Sequence, residues 1–305
     1  MQGVTRTCFL IALCVFLTAM SSGADRRFEK KFSANPGGTF RLTTDVGSVT
    51  VTGSSNNEVS IVAELWGNER DVNEFEISAN QTGSGVEVKG RSKRGHGFWN
   101  FGFNNNDIDV RYTISVPREY NLERNSSGGN GSFSTLKGSI RGGTSGGNID
   151  VVKVEGAVDL HTSGGNLHAE GITGKLDMET SGGEVKVIAV AGDVDVSTSG
   201  GNIRLSDVDG RVRAETSGGD VAVRLKNANK GIYVETSGGN IELAMAKNSS
   251  ANIDASTSGG DVTCDLPITM SGKISDNRIK GAINGGGATV HAHTSGGDIR
   301  IVALE

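Results

Sequence analysis

The sequence predicts an all-β protein: a parallel β-solenoid, of the β-helix or β-roll kind, with about 18 to 20 residues per coil and a less regular N-terminal β region. The first observation is a tetrapeptide, Thr-Ser-Gly-Gly, that recurs through the second half of the chain. Starting from the related Ser-Ser-Gly-Gly at Ser126, the first five spacings are all 18 residues. A fixed short period is typical of a chain that stacks one structural unit on the next. The copies begin at Thr144, Thr162, Thr180, Thr198, Thr216, Thr236, Thr257 and Thr294.

The second observation is that apolar residues inside each repeat follow the strand period. Counting the opening threonine as position 0, they occur at positions 5, 7, 10, 14 and 16. Steps of two place side chains on one face of a strand, so a repeat predicts two short strands and two turns. A lone coil should not fold, and we expect parallel hydrogen bonds to copies about 4.8 Å away. In the first full copy these residues are Ile149, Val151, Val154, Val158 and Leu160.

The third observation is that glycine and short polar residues stand at fixed places. Glycines occupy positions 2, 3 and 12, which are Gly146, Gly147 and Gly156 in the first copy. Because glycine accepts positive φ and close backbone approach, we expect the chain to reverse there. Position 4 carries Asn, Asp or Glu, beginning with Asn148. We expect this side chain to bond locally and to stack as a ladder.

Residues 1–24 have the pattern of a secretion signal. Arg6 supplies a positive charge, residues 8–20 form an apolar run of 13 residues, and small residues at 22–24 form a cleavage site. We therefore expect export to the periplasm, the extracellular space or the cell surface. No later segment approaches the ~18 apolar residues of a membrane-spanning helix, so we expect no transmembrane segment.

The rest of the chain divides into two parts. Residues 25–118 are expected to form an N-terminal β region of irregular coils or a cap, closed by Pro117, which cannot donate to a strand ladder. Apolar pairs such as Phe40 with Leu42 resemble the half-coils farther along the chain. Residues 119–305 are expected to form the Thr-Ser-Gly-Gly solenoid.

An aromatic insertion interrupts the N-terminal region at residues 92–106. Aromatic residues this dense on a long loop indicate either a plug over the solenoid or a contact surface for a ligand. Both interpretations stay open from the sequence. The aromatic residues are Phe98, Trp99, Phe101 and Phe103.

The carboxyl-terminal part is less regular than the middle. Thr257 and Thr294 are 37 residues apart, about two coils, with irregular sequence around Pro267 in place of an opening tetrapeptide. Cys264 occupies inward position 7 of its coil. We expect it to be a small core side chain rather than a nucleophile or half of a disulfide.

Composition excludes some classes of function. The formal net charge is -5, which argues against a nucleic-acid partner, since that needs a basic stripe. The 46 glycines are spread through the chain and no window keeps a helical period, so helix is hardly supported.

No residue pattern predicts catalysis, a cofactor or a metal centre. Residues 143–147 match the Gly-x-Ser-x-Gly nucleophile elbow, but no helix is predicted to follow Ser145. Calcium-binding Gly-Gly-x-Gly-x-Asp repeats also build coils of this size. Here the third glycine is absent and the acid is misplaced.

One exterior column is a candidate site. Asp159, Asp177 and Asp195 share position 15 of successive copies and should lie about 4.8 Å apart on one sheet face. The column is either a solvated charged face or a weak divalent-cation site, and the sequence leaves both open.

Several stretches of the sequence, and the order in which they occur, resemble the bacterial putative-adhesin family of β-strand repeat proteins, a secreted domain of unknown function. The resemblance covers essentially the whole chain after the signal. It implies a β-strand repeat fold and a surface or envelope location, and it supplies no catalytic residues. The stretches are residues 40–53 with the core Asp45-Val46-Gly47-Ser48-Val49-Thr50-Val51, the ending Ile114-Ser115-Val116-Pro117, the Thr-Ser-Gly-Gly coils, and the finish from Gly285-Gly286-Gly287 to Thr294-Ser295-Gly296-Gly297-Asp298-Ile299.

These observations favour a secreted, non-enzymatic scaffold or adhesin-like binding protein at the cell envelope. Regularly spaced exterior side chains suit a repetitive partner such as a polysaccharide, or an envelope protein. Two alternatives remain from the sequence. One is a carbohydrate-active enzyme on a β-helix, which needs carboxylates that converge in a groove. The other is a structural rod stabilised by cations.

Overall fold

The computed structural model describes residues 25–93, 108–271 and 275–304, which contain 27 strands and one short helix. The protein is all-β, and its strands form two large, mostly parallel sheets. Sheet A has the strand order β1-β4-β7-β3-β9-β11-β13-β15-β17-β19-β21-β27-β23 and sheet B the order β24-β25-β22-β26-β20-β18-β16-β14-β12-β10-β8-β2-β6-β5. The first elements are β1 (Arg26–Ser33), β2 (Thr39–Thr44), β3 (Ser48–Ser54), β4 (Glu58–Gly67), α1 (Glu69–Glu74), β5 (Phe75–Thr82), β6 (Gly85–Ser92) and β7 (Ile108–Pro117).

The remaining strands alternate between the two sheets as far as β23. They are β8 (Asn121–Ser126), β9 (Gly131–Lys137), β10 (Ile140–Thr144), β11 (Ile149–Glu155), β12 (Val158–Thr162), β13 (Leu167–Thr173), β14 (Leu176–Thr180), β15 (Val185–Ala191), β16 (Val194–Thr198), β17 (Ile203–Asp209), β18 (Val212–Thr216), β19 (Val221–Leu225), β20 (Ile232–Thr236), β21 (Ile241–Ala246), β22 (Ala251–Thr257), β23 (Val262–Cys264), β24 (Ile268–Met270), β25 (Arg278–Ile283), β26 (Thr289–Thr294) and β27 (Ile299–Leu304).

Each regular coil contributes one strand to each sheet and pairs in parallel with the same residues of the next copy. In sheet A, Ile149 pairs with Leu167, and in sheet B, Val158 pairs with Leu176. Both pairs are one repeat apart, so the repeat of the sequence is the repeat of this β-solenoid-like structure. The core lies between the sheets and is formed by positions 5, 7, 10, 14 and 16, as the alternation predicted.

In the coils of β9, β11, β13, β15 and β17, a left-handed residue at position 9 explains why the apolar pattern steps by three between positions 7 and 10. The backbone φ there is 58° at Lys153, 55° at Ala189 and 57° at Asp207, and glycine fills the place at Gly171 with φ 69°. This residue is left out of the strand pairing, so the chain turns and position 10 points inward again. The sequence did not reveal this bulge, because only one of these copies has glycine there.

The Thr-Ser-Gly-Gly corner is built from contacts between coils. The threonine is buried in every copy, and the hydroxyl of Thr180 donates to the carbonyl oxygen of Gly165 in the preceding coil at 2.9 Å. The second glycine allows close approach, since a Cβ on Gly183 would lie 2.0 Å from that same oxygen. A Cβ on Gly182, the first glycine, would meet its nearest atom at 3.9 Å. Only the second glycine is therefore required for steric reasons, because a side chain there would overlap the preceding coil.

The polar side chains at position 4 form the expected ladder, but their bonds run between coils rather than locally. The Oδ1 atom of Asn148 accepts from the backbone N–H of Asn166 at 2.8 Å, and Asn166 accepts in the same way from Glu184. Each of these two asparagines thus satisfies a backbone donor of the following coil.

Residues 25–93 and 108–117 continue both sheets and then close one end. Strands β2 and β3 form a coil that pairs in parallel with β6 and β7 on one side and with β8 and β9 on the other. Strands β1, β4 and β5 are different, since they pair antiparallel. The short helix α1 was not expected; it begins after Asn68, whose Oδ1 accepts from the backbone N–H of Asp71 at 2.9 Å.

At the other end, the coils do not stack in the order of the sequence. The coil of β26 and β27 lies between the coil of β20 and β21 and the coil of β22 and β23. The 37-residue gap between Thr257 and Thr294 is therefore not two stacked coils. It contains β24 and β25, an antiparallel pair that covers the end of sheet B beside β22.

One charged side chain lies inside the core near the first repeats. Arg124 is 0% exposed, and its Nη2 atom donates to the carbonyl oxygen of Gly129 at 2.9 Å. Within the described residues its Nε and Nη1 atoms have no partner. Gly131 stands where other copies carry an apolar residue, and it leaves space for this side chain, since a Cβ there would lie 2.9 Å from Nη1 of Arg124.

Candidate functional site

The predicted aspartate column exists on the outer side of sheet B. Asp159 pairs with Asp177 and Asp177 with Asp195 on adjacent parallel strands. On the far side of Asp195 the row continues with Arg213, and before Asp159 it begins with Arg141. The column is thus three carboxylates long and has an arginine at each end.

A second row runs beside the first, two residues farther along each strand. We call the outward side chains of β12, β14, β16, β18 and β20 the acidic face, since they include six carboxylates and one guanidinium. The second row borders a shallow groove of about 350 Å³ that also includes serines of the Thr-Ser-Gly-Gly corners. The acidic face consists of Asp159, His161, Asp177, Glu179, Asp195, Ser197, Arg213, Glu215, Tyr233 and Glu235.

Two of these carboxylates form ion pairs with Arg213, and one of the two, Asp195, has a raised pKa. Arg213 contacts Glu215 at 2.5 Å and Asp195 at 3.8 Å. Burial raises the pKa of the Asp195 carboxyl, and the charge of Asp177 raises it further. Two like charges therefore lie close together where Asp177 pairs with Asp195, at the end of the column nearest Arg213.

An aromatic cluster stands at the end of the same face. The ring of Tyr233 stacks on the ring of His291 with 4.9 Å between centroids, and the guanidinium of Arg213 lies 4.8 Å from the Tyr233 centroid. The Tyr233 hydroxyl donates to Glu235, and this hydrogen bond raises the pKa of the tyrosine. A second groove, of about 510 Å³, is lined by this cluster together with Asp195.

This cluster could not be predicted from the sequence, because His291 comes 58 residues after Tyr233. The two residues become neighbours only through the inserted coil of β26 and β27. The match between residues 232–239 and 290–297 around the tetrapeptide shows that they occupy equivalent positions. It does not show that they stack next to one another.

Other residues singled out by the sequence fall elsewhere. Phe98, Trp99, Phe101 and Phe103 lie outside the described residues. Cys264 is partly buried against the core, and burial raises the pKa of its thiol. Ser145 is exposed at its corner, and β11 rather than a helix follows it.

Two further observations concern metals and membranes. Across 25–93, 108–271 and 275–304, no three His, Cys, Asp or Glu side chains are grouped so that they could hold a metal ion. In the same ranges no helix is long and apolar enough to span a membrane.

Comparison with known proteins gives one strong match and several weak ones. A family model described as Toastrack DUF4097 matches residues 40–302. No curated protein matches the chain. Among solved structures, a putative adhesin from Bacteroides fragilis is 11% identical, with 92% of this chain and 98% of that chain covered and a TM-score of 0.46.

Two other solved structures are similar over comparable lengths. A putative cell adhesion protein from Clostridium sporogenes is 13% identical, with 90% of this chain and 99% of that chain covered and a TM-score of 0.22. A putative lipid binding protein from Parabacteroides distasonis is 14% identical, with 91% of this chain and 97% of that chain covered and a TM-score of 0.34. Identities and TM-scores this low add nothing to the geometry described above.

Proposed function

The chain belongs to the Toastrack DUF4097 family. From this membership and from the geometry of the acidic face, we propose that the protein is a non-enzymatic surface scaffold. We propose further that its acidic face binds an extended, polar glycan. In this proposal the fold is a β-solenoid of about 18 to 20 residues per coil that serves as a rigid support. The proposal also includes export to the cell envelope, which the signal pattern of residues 1–24 supports.

The observation that carries the proposal is the pair of parallel rows on the acidic face. Neighbouring side chains in each row belong to strands about 4.8 Å apart, so each row repeats at a constant distance. The rows offer carboxylates and hydroxyls, such as those of Glu179, Ser197 and Glu215, along one groove. These groups accept and donate hydrogen bonds to sugar hydroxyls. A partner with its own repeat can make the same contact several times along the face.

The exposure of the carboxylates supports binding rather than hydrolysis. A glycosidase needs one carboxylic acid with a raised pKa and a second carboxylate across the scissile bond, in a site that excludes water. On the acidic face the Glu215 side chain is 33% exposed and paired with Arg213, and the Glu235 side chain is 40% exposed. These carboxylates line a shallow surface groove.

A glycan array tests the proposal. The chain from residue 25 onward would be compared with a triple variant, Glu179→Gln, Glu215→Gln and Glu235→Gln, in which shape is kept and charge is removed. The matched control removes three charges from the outer side of sheet A, outside both grooves, through Asp150→Asn, Glu155→Gln and Glu170→Gln. We expect a loss of glycan binding of at least about tenfold in the first variant only, by the loss of about one charge-assisted hydrogen bond.

Three other results would overturn parts of the proposal. Glycan binding that is equal in both variants removes the acidic face as the site. Release of sugar products that stops in the triple variant shows catalysis, and the scaffold would then be an enzyme. Loss of binding on addition of a chelator would instead favour a bridging cation at the aspartate column.

A further inference from the structure

A second charged surface lies on the opposite sheet, in the same coils. Lys186 on β15 pairs with Arg204 on β17, and Arg224 lies on the next strand, β19. Together these three cations border a depression of about 280 Å³ on the outer side of sheet A. We call this site the basic depression; its floor includes the small side chains of Ser206, Ala222 and Ala244.

Small residues make the depression. In its row Ala222 stands between Arg204 and Glu242, and in the neighbouring row Ala244 follows Arg224. An alanine between two long side chains leaves a gap that reaches close to the backbone of the sheet. Glu242 is the carboxylate that lines one side.

The cations of this depression are poorly neutralised, unlike those of the acidic face. The side chains of Lys186 and Arg224 have no hydrogen-bond or ion-pair partner in the part of the chain that the structure describes. Arg204 meets Glu184 only at 3.5 Å, between side chains that are both more than half exposed. By contrast, Arg213 on the acidic face lies 2.5 Å from the carboxylate of Glu215. The basic depression thus brings together cationic side chains that have weak ion pairs or none.

We propose that the basic depression binds an oxyanion group, phosphate or sulfate, carried on an anionic glycan. A guanidinium offers a planar pair of donors that matches two oxygens of such a group, and a lysine adds a mobile positive charge. The volume is slightly below the ~300 Å³ at which small-molecule pockets begin, so it suits one substituted sugar unit rather than a large ligand.

The shape favours a polymer over a membrane. Binding to a flat membrane surface uses apolar side chains that project beyond the charges. Here the apolar side chains of Ala222 and Ala244 are short and lie below the charged rim. A narrow chain that carries an oxyanion can enter the depression, and a flat bilayer surface cannot.

This inference does not rest on the glycan proposed for the acidic face. The two surfaces belong to different sheets and carry opposite charges, so each can be altered without the other. If both are occupied, the protein joins two polymers across the thickness of its solenoid.

Fluorescence anisotropy with labelled dextran sulfate, and with neutral dextran as the blank, tests the site. The double variant Lys186→Gln and Arg224→Gln would be compared with the unaltered protein and with a control, Lys153→Gln and Lys247→Gln. The control removes the same charge from two exposed lysines outside the depression. Urea unfolding of each protein verifies that all three are folded.

We expect dextran sulfate to bind at least about tenfold more weakly to the double variant, the control to bind normally, and added inorganic phosphate to compete. Binding should weaken as salt rises, because exposed charges are screened. Equal losses in both variants would mean attraction by overall charge and would overturn the site. So would an absence of binding to dextran sulfate, or a preference for phosphatidylglycerol vesicles over dextran sulfate.

The triple variant of the acidic face separates the two proposals. It should retain dextran sulfate binding whether or not the acidic face binds a glycan. Failure of one site therefore leaves a clear result for the other.

Discussion

The hydroxyl of Thr180 donates its hydrogen bond to the carbonyl oxygen of Gly165, 15 residues earlier and one coil away. Thr180 is only 2% exposed, so this bond satisfies a polar group in the interior. Thr198 makes the same bond to Gly183, and Thr216 to Gly201. The first residue of the recurring tetrapeptide is therefore a structural link between coils.

Replacing Thr180 with valine should lower the free energy of unfolding by about 1 to 3 kcal/mol, because a buried carbonyl loses its donor while the shape is kept. Thr180→Ser, which keeps the hydroxyl, should cost less. Urea unfolding midpoints at an unchanged m-value measure both. A valine variant as stable as the unaltered protein would show that the bond contributes nothing.

The two glycines of one corner should respond differently to alanine. In Gly183→Ala the new Cβ would lie 2.0 Å from a backbone oxygen of the preceding coil, so the coils must separate. We expect a loss of at least about 1 to 3 kcal/mol, as for overpacked interiors. Gly182→Ala is the control, expected to stay within about 0.5 kcal/mol, as at open surface positions. Equal thermal midpoints for the two variants would contradict the close approach.

The left-handed residue at position 9 of the coils from β9 to β17 can be changed to raise stability. Ala189→Gly should stabilise the protein by about 1 kcal/mol, since glycine has no Cβ to disfavour φ of 55°. Gly171→Ala should have the opposite effect, although no atom lies within 3.7 Å of the added Cβ, because φ there is 69°. Chemical denaturation of both variants measures the pair. Destabilisation by Ala189→Gly would disprove the strain.

Removing the buried arginine should also stabilise the protein. Burial lowers the pKa of Arg124 to about 10, so it is charged at neutral pH with two nitrogens that lack partners. Arg124→Met places at this site the residue found at the equivalent Met178, and we expect a gain of about 1 to 4 kcal/mol. Arg141→Met, at an exposed neighbour, should change little. A large loss in thermal stability for Arg124→Met would show that the arginine is compensated.

Alkaline pH should weaken the N-terminal region through Tyr112. Burial raises the pKa of Tyr112 to about 12. Between about pH 10 and 12 the unfolded chain releases this proton and the folded chain keeps it, so stability falls as pH rises. The free energy of unfolding of the unaltered protein relative to Tyr112→Phe should decline by up to about 1.4 kcal/mol per pH unit in this window. Urea unfolding at pH 9, 10 and 11 gives that difference, and a constant difference would refute the assignment.

Most of the regular part of the fold follows from the sequence, because its stabilising contacts repeat. Positions such as those of Val151 and Leu160 alternate in the same way in successive regular copies, and their pairing partners are their own counterparts. The bulge at Lys153 could not be predicted, since a left-handed lysine has no local signature. The antiparallel pairing of β4 with β1 and β7 also depends on contacts between distant segments, and the apolar pattern of a strand does not specify direction.

The candidate site was partly predictable for the same reason. Asp159, Asp177 and Asp195 follow the repeat, so their column could be read from the spacing. The contact between Tyr233 and His291 does not follow the order of the repeats, so it could be seen only in the structure. The basic depression depends on Ala222 and Ala244, and the sequence gives no signal that small residues on an outer face form a depression.

The placement of the β26–β27 coil has a consequence for synthesis and for protein engineering. Residues 251–283 can join the rest of the protein only after residues 289–304 have left the ribosome, because those residues fill the space between them. A product that stops before residue 289 would expose two unpaired strand ladders, which invite aggregation. For engineering, the last described strand, β27, lies one strand in from the end of sheet A, so a fusion made at Leu304 would start beside β23 rather than beyond it.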